Sequence, residues 1–213
     1  NLLTGVAWGI GDKVEYSMEG SAFNAGSVIK WLRDEMKLID SAAESETAAA
    51  RVEDTRGVYV VPAFAGLGAP HWDAYAKGAI YGITRGTTSA HITRAALEGI
   101  AYQTMDIVEA MSRDATVPIS ELKVDGGASR NNLLMQFQAD ILGTSVIRPQ
   151  ITETTALGAA YFAGIAVGFW DGVEEVRRQW NAERTFTPQM PSDKVGELRA
   201  GWAEAVSRTL TNR

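Results

Sequence analysis

The sequence contains no cysteine and only two histidines, His71 and His91, among its 213 residues. Without cysteine the chain can form neither a disulfide nor a thiolate metal site. Two histidines also exclude a histidine-rich metal site. We therefore predict no metal site built from this chain's own residues. The absence of cysteine fits a reducing compartment, and we expect the protein in the cytoplasm.

The sequence also lacks an excess of positive charge. Its 20 lysines and arginines face 26 acidic residues, which leaves a net charge of −6 and a pI near 5.0. Such a chain is a poor candidate for a nucleic-acid or anionic-membrane surface. A nucleotide stays possible, because its phosphates are usually met by backbone N–H groups and a metal ion.

Long hydrophobic runs are scarce. The longest uncharged run, TTALGAAYFAGIAVGFW at 154–170, is too short for a membrane span, so we predict a helix buried on all sides and no membrane insertion. With 46% hydrophobic residues the chain has ample material for a core. It begins with Asn1 and no signal peptide, and we expect a fragment or a processed chain.

The stretch at 122–143, LKVDGGASRNNLLMQFQADILG, has the pattern of a strand, a glycine turn and a helix. Gly126 and Gly127 lack Cβ atoms where the strand ends, so another molecule can approach the backbone N–H groups. A helix from near Ser129 to Gly143 would add the positive end of its dipole, which suits a phosphate or a ribose. The alternative is a tight turn that binds nothing, since short glycine motifs are weak evidence.

A second glycine suggests the same kind of contact. Ser21 is a good cap for a helix that reaches about Ile39, and Gly26 lies inside this predicted helix with Lys30 one turn further on the same flank. Because an interior glycine costs about 1 kcal/mol relative to alanine, it invites an explanation, and close approach of another molecule is one. The alternative is a solvated basic face with one tolerated glycine.

The order of the remaining elements predicts the fold class. A hairpin at 2–19 should point Val14, Tyr16 and Met18 inward, and Gly11 and Asp12 should form its turn. Further elements are predicted as strands at 57–63, 78–84 and 144–149 and a long helix at 89–112. This alternation predicts an α/β layer structure with a partly parallel sheet. The glycine turn would then lie at the carboxyl end of a strand, where open sheets bind ligands.

One segment carries a family resemblance. The run GAIYGITRGTTSAHITRAALEG at 78–99 resembles the second signature of the FGGY carbohydrate kinases. The matching positions are Gly78, Ile80, Gly82, Ile83, His91, Ile92, Ala95, Leu97 and Glu98. Within that family, VPAFAGLGAPHWD at 61–73 and the run at 155–170 are similar to the glycerol kinases rather than to xylulose or gluconate kinases. The similarity extends from about Leu2 to Gly201.

The resemblance implies an architecture and a reaction. It implies an actin-like ATPase, or ribonuclease H-like, fold with a mixed sheet and helices on both faces. Kinases of this branch bind ATP, Mg²⁺ and glycerol in a cleft between two domains. Residues 1–213 would form the single C-terminal nucleotide-binding domain, and the N-terminal substrate domain is absent from the chain. The complete protein would be a homo-oligomer that makes glycerol 3-phosphate.

The resemblance also implies site residues. The family's nucleotide contacts fall on Gly26, Lys30, Gly127 and Asn131, and Lys30 replaces a glutamine of the family. The catalytic aspartate belongs to the absent domain, so we expect no catalytic residue here and no activity from the chain alone. Asp125 is the nearest substitute for that base, but a structural role suits it better.

Three alternatives stay open. The chain could belong to a kinase for another polyol or sugar of the same family. It could be a non-catalytic, actin-like nucleotide-binding module that acts as a switch or polymer subunit. It could also be an interaction module whose glycines are purely structural.

Overall fold

The computed structural model describes residues 2–114 and 119–211. The chain divides into two compact units. The first comprises Asn1–Ile119 together with Met190–Arg213, and the second comprises Ser120–Gln189.

The first unit opens with the predicted hairpin. Strands β1 (Leu3–Ile10) and β2 (Lys13–Glu19) pair antiparallel, with Val6 opposite Tyr16. The prediction that its second strand points apolar side chains inward is wrong, because Val14, Tyr16 and Met18 are 47%, 71% and 40% exposed. Alternation along a strand identifies the residues that share a face. It does not tell whether another element covers that face.

Helix α1 (Gly26–Asp34) is shorter than predicted. Val28, Ile29 and Leu32 form its buried side. Ser21 is not its cap, since the N-cap position is Ala25 and the Ser21 carbonyl accepts a hydrogen bond from the Ala69 N–H at 2.9 Å. Gly26 is therefore the first residue of the helix and not an interior one.

The core of the first unit surrounds a long central helix, α3 (Ser89–Asp114), which agrees with the predicted helix at 89–112. The elements of this unit around α3 are α2 (Glu44–Ala49), the antiparallel strands β3 (Tyr59–Val61) and β4 (Ala79–Tyr81), and the last helix of the chain, Ser192–Thr209. In that last helix Trp202 is buried and stacks on Tyr102 of α3 with ring centroids 5.0 Å apart. Aromatic burial of this size contributes strongly to a core.

The second unit is built on a mixed sheet. Strands β5 (Glu121–Lys123) and β6 (Ser145–Pro149) run parallel, and β7 (Ala182–Phe186) pairs antiparallel with β6. Helix α4 (Asn132–Leu142) connects β5 to β6 and packs on β6. It ends at Gly143, whose left-handed φ of 67° is easily adopted by glycine. The predicted α/β class with a partly parallel sheet is confirmed.

Helix α5 (Thr154–Ala166) contradicts its prediction. It was expected to be buried on all sides, yet none of its residues is buried, and Phe162 is 45% exposed. After it come the short helix α6 (Val173–Arg177), strand β7 and the helix Ser192–Thr209, which is α7. Within the described part of the chain, no helix is both long and apolar enough to cross a membrane.

Candidate functional site

The glycine turn follows β5 after Val124 and Asp125, in the predicted order of strand, turn and helix. Gly126 has a φ of 73°, and residues Gly127–Arg130 form one turn of 3₁₀ helix before α4 begins at Asn132. The predicted helix start near Ser129 is therefore wrong by one turn. The Ser129 hydroxyl donates to the Gly126 carbonyl at 2.7 Å, which holds the turn in its tighter form.

The turn presents unused backbone donors. The Gly126 N–H donates to the Thr152 carbonyl at 2.8 Å, and the Ser129 N–H donates to the Gly126 carbonyl at 3.2 Å. Between them, the N–H groups of Gly127 and Ala128 have no acceptor among the described residues. Successive unpaired N–H groups in a turn form a concavity that favours an anion or another oxygen acceptor.

Asn131 ends the turn as the cap of α4. Its Oδ1 accepts a hydrogen bond from the Leu134 N–H at 2.9 Å, and its backbone is extended. This bond satisfies one of the donors at the start of the helix and fixes the orientation of the Asn131 side chain. Asn131 and Gly127 thus lie at the two ends of the same short turn.

A buried arginine of β6 donates hydrogen bonds to the residues of the turn and to the start of α4. Arg148 of β6 is 8% exposed, and its guanidinium donates to the Ser129 carbonyl at 2.7 Å and to the Asn132 Oδ1 at 3.1 Å. Its charge is paired with Glu183, whose carboxyl has a lowered pKa because Arg148 donates to it at 2.5 Å. The sequence analysis did not identify Arg148. Its own segment gives no signal for this role, since a single arginine in a short strand is ordinary.

Asp125 lies beside the turn and is exposed. Its Oδ2 accepts a hydrogen bond from the Thr154 hydroxyl at the first position of α5. This contact ties the end of β5 to the start of α5, which supports the structural role predicted for Asp125.

The other two predicted contacts lie on α1. Gly26 opens the helix and is exposed, and Lys30 is exposed one turn later. A Cβ atom added at Gly26 or at Gly127 would meet no atom within 4 Å. Nothing among the described residues therefore requires glycine at either position, which leaves room for another molecule. The same is true of Gly158 and Gly196, so this openness supports a site only together with the unused donors.

The predicted contacts are divided between the two units. Gly26 and Lys30 belong to the first unit, and Gly127 and Asn131 belong to the second. The structure brings each pair together within its own unit. That all four residues hold one nucleotide stays a prediction.

The side chains of the described residues do not form a cation site. Within residues 2–114 and 119–211, no group of three or more acidic or histidine side chains is placed to hold a metal ion. A Mg²⁺ ion prefers carboxylates, phosphate oxygens and water. The described residues alone do not fit such an ion.

Comparison with known proteins shows which family the chain belongs to. Residues 3–167 match the model of the C-terminal domain of the FGGY family of carbohydrate kinases. The chain is 62% identical over 206 residues to a glycerol kinase of Burkholderia vietnamiensis and 60% identical over 209 residues to one of Caldanaerobacter subterraneus. These alignments cover 97% and 98% of the chain but only 41% and 42% of the relatives. The chain thus spans about two fifths of their length.

Solved structures agree with this assignment. The crystal structure of Plasmodium falciparum glycerol kinase with ADP is 38% identical, with a TM-score of 0.87 over 100% of this chain and 42% of that one. A gluconate kinase from Lactobacillus acidophilus has a TM-score of 0.79 at 23% identity, covers 94% of this chain and 41% of that one, and supports the fold alone. The predicted actin-like fold class is confirmed by these neighbours. The chain belongs to the FGGY family of carbohydrate kinases, and it carries that family's C-terminal domain.

Proposed function

We propose that this chain is the nucleotide-binding domain of an ATP-dependent glycerol kinase, a single C-terminal domain of residues 1–213. The observation that carries the proposal is the identity of 62% to a glycerol kinase over 97% of the chain. The solved gluconate and xylulose kinases are only 23% and 24% identical. That contrast favours glycerol over another polyol or sugar as the substrate of the complete protein.

The chemistry of the glycine turn fits this role. The N–H groups of Gly127 and Ala128 would donate hydrogen bonds to a phosphate or ribose oxygen of ATP, and Asn131 would border the same site. Gly26 and Lys30 would contact the nucleotide from α1. The Lys30 ammonium replaces an amide of the family, and it can donate to a ribose or phosphate oxygen as a glutamine does.

The chain would position the nucleotide without carrying out proton transfer. Phosphoryl transfer depends on in-line positioning and on neutralisation of the charge on the phosphates. The substrate domain would supply the base that takes the proton from the glycerol hydroxyl. Mg²⁺ would neutralise phosphate charge in the complete enzyme, and its ligands would come from ATP, water and residues outside this chain.

The cellular setting is part of the same proposal. We place the complete enzyme in the cytoplasm, as a homo-oligomer that binds no nucleic acid and does not insert into a membrane. The acidic composition, with a net charge of −6, supports the exclusion of nucleic acid.

The direct test compares two proteins. The full-length protein and residues 1–213 alone are incubated with ATP, Mg²⁺ and glycerol, and glycerol 3-phosphate is measured. We expect turnover from the full-length protein only. Xylulose, gluconate and polyols other than glycerol are tested in parallel, and a preference for one of them would contradict the proposed substrate. Equal turnover by the isolated chain would show that the chemistry does not depend on the missing domain.

A second test addresses the glycine turn. Gly127→Val in the full-length protein should raise the KM for ATP by a factor of ten or more, on the order of 1.4 kcal/mol or above, because a side chain there occupies the space beside the free N–H groups. The KM for glycerol should change little. Gly196→Val is the matched control, since Gly196 is another open glycine on α7. Equal changes in both constants for the Gly127 variant would exclude this turn as the nucleotide site.

A further inference from the structure

The segment at 20–25, which connects β2 to α1, is held at three points. A Cβ atom at Gly20 would lie 2.3 Å from the Ile107 side chain, so the backbone here rests directly on α3. The Ser21 carbonyl accepts the Ala69 N–H at 2.9 Å. The Asn24 carbonyl accepts the Gln103 Nε2 at 2.9 Å. The last contact lies two residues before Gly26.

Gln103 makes this contact from a buried position on α3. It is 7% exposed on α3, and its Nε2 also reaches the Gly99 carbonyl of its own helix at 3.4 Å. Two carbonyl acceptors require the amide nitrogen, and not the amide oxygen, on this side. Helix α3 is itself closely packed, since a Cβ atom at Gly99 would lie 2.4 Å from the Val60 carbonyl oxygen of β3.

The contact continues into the first turn of α1. Asn24 is 6% exposed, and its Oδ1 accepts the Ser27 hydroxyl at 3.2 Å. No side chain caps α1 at Ala25. The start of α1 is therefore tied to α3 through the Asn24 contacts and not through a capping side chain. Loss of the bond to Gln103 would let the first turn, including Gly26, shift or fray.

We propose that Gln103 is a positioning residue for the nucleotide: it touches no ligand and sets nucleotide affinity by fixing the Asn24 carbonyl and hence the start of α1. The inference rests on the proposed nucleotide site at Gly26. The Gln103 side chain bonds to a segment outside its own helix. Packing of α3 does not require this bond, so we assign the buried amide to positioning of the segment before α1.

The test uses the full-length protein with Gln103→Met, which keeps the length of the side chain and removes the donor. Equilibrium binding of ADP should weaken about three- to tenfold, as expected for the loss of one hydrogen bond. The KM for glycerol should stay unchanged. Thr104→Val is the matched control, because the Thr104 hydroxyl donates only to the Ile100 carbonyl of its own helix. This control should bind ADP as the wild type does.

A second variant separates positioning from stability. Gln103→Glu has the same size, and its introduced carboxyl can donate to the Asn24 carbonyl only when it is protonated. Relative to wild type, this variant should bind ADP more weakly at pH 8 than at pH 6. A purely structural role predicts no such pH dependence of the affinity ratio, so this readout decides the matter even if Gln103→Met does not fold.

Three results would overturn the inference. The first is wild-type ADP affinity in Gln103→Met, and the second is an equal loss in Thr104→Val. The third is an affinity ratio for Gln103→Glu that does not change with pH. If the wild-type protein itself binds no ADP, the proposed function fails, and this inference fails with it.

Discussion

Helix α3 contains six charged residues and α5 contains none, yet α3 is the buried helix of the two. In α3 even Glu98 is only 4% exposed, whereas no residue of α5 is buried. The comparison shows that the hydrophobicity of a helix indicates only how much free energy its burial would contribute. Whether it is covered depends on which elements pack against it.

The buried carboxyl of Glu98 in α3 is tolerated because it is paired. The Arg94 Nε donates to the Glu98 Oε1 at 2.9 Å, and another nitrogen of the same guanidinium donates to the Val52 carbonyl at 2.8 Å. Burial nevertheless raises the pKa of the Glu98 carboxyl to about 7, against the opposing effect of Arg94. A buried carboxylate of this kind needs its partner, because an unpaired buried charge is very costly.

The largest expected effect comes from removing that partner. Arg94→Ala should destabilise the protein by about 3 to 5 kcal/mol at pH 8, because it leaves a buried carboxylate and the Val52 carbonyl without their donor. The double variant Arg94→Ala, Glu98→Leu should recover part of the loss, since it removes the buried charge as well. Chemical denaturation measures both. A loss below about 1 kcal/mol for Arg94→Ala would mean that Glu98 is not effectively buried.

The pH dependence of stability gives the next effect. The folded-state pKa of Glu98 is about 7, above its ordinary value of 4.5, so between these values the folded protein holds a proton that the unfolded chain has released. The contribution of Glu98 is therefore fully present below pH 4.5 and is lost as the pH rises through 7. The loss should be on the order of 3 kcal/mol.

The measurement compares unfolding midpoints of wild type and Glu98→Gln from pH 4.5 to 8. In the variant, the free energy of unfolding should no longer fall by the amount that Glu98 causes as the pH rises. Glu174→Gln, at an exposed position of α6, is the control and should keep the wild-type slope. Parallel curves for wild type and Glu98→Gln would rule out Glu98 as the titrating group.

Two glycines sharpen the comparison further. Gly99→Ala in α3 should cost about 1 to 3 kcal/mol, because the new Cβ would lie 2.4 Å from a backbone oxygen of β3. Gly158→Ala in α5 should instead stabilise by about 0.5 to 1 kcal/mol, since no atom lies within 4 Å and alanine favours a helix. Denaturation midpoints of the two variants should move in opposite directions. Equal shifts would contradict the contrast between the helices.

The smallest effect is expected in α5 itself. Ala160 is exposed, so Ala160→Leu in residues 1–213 should change the free energy of unfolding by no more than about 0.5 kcal/mol. The prediction of a buried helix implies a cost of about 1 to 3 kcal/mol instead. Measuring the variant in the isolated chain and in the full-length protein separates the two cases. A cost seen only in the full-length protein would show that segments outside residues 1–213 cover α5.

Much of the fold was predictable where the signals are local. The hairpin, the strand before the glycine turn and the end of α4 at Gly143 all follow from short patterns of alternation and glycine placement. The start of α1 was not predictable, because Ser21 has the chemistry of a cap but its carbonyl is engaged by Ala69 in a distant loop. The family resemblance supplied the four predicted nucleotide contacts, and the residues alone pointed to only part of that set.

The supporting residues of the site were missed for a related reason. Arg148 lies 19 residues from Ser129, and Gln103 lies 79 residues from Asn24, along the chain. Neither residue stands out in its own segment, since a single arginine in a strand and a glutamine in a helix are ordinary. Their roles exist only through partners that the folded chain brings to them.

The sequence by itself determined the class of the fold, the position of the glycine turn and the family, because periodicity, glycine placement and motif residues are properties of short segments. The tertiary structure decided that α5 and the hairpin are exposed, that Glu98 is buried beside Arg94, and that Arg148 bonds to the glycine turn and Gln103 to the segment before α1. The physical reason is that burial and hydrogen-bond partnership depend on distances between segments far apart in the chain. The local sequence indicates whether a residue favours burial or a hydrogen-bond partner, and the packing of distant segments determines whether it obtains either.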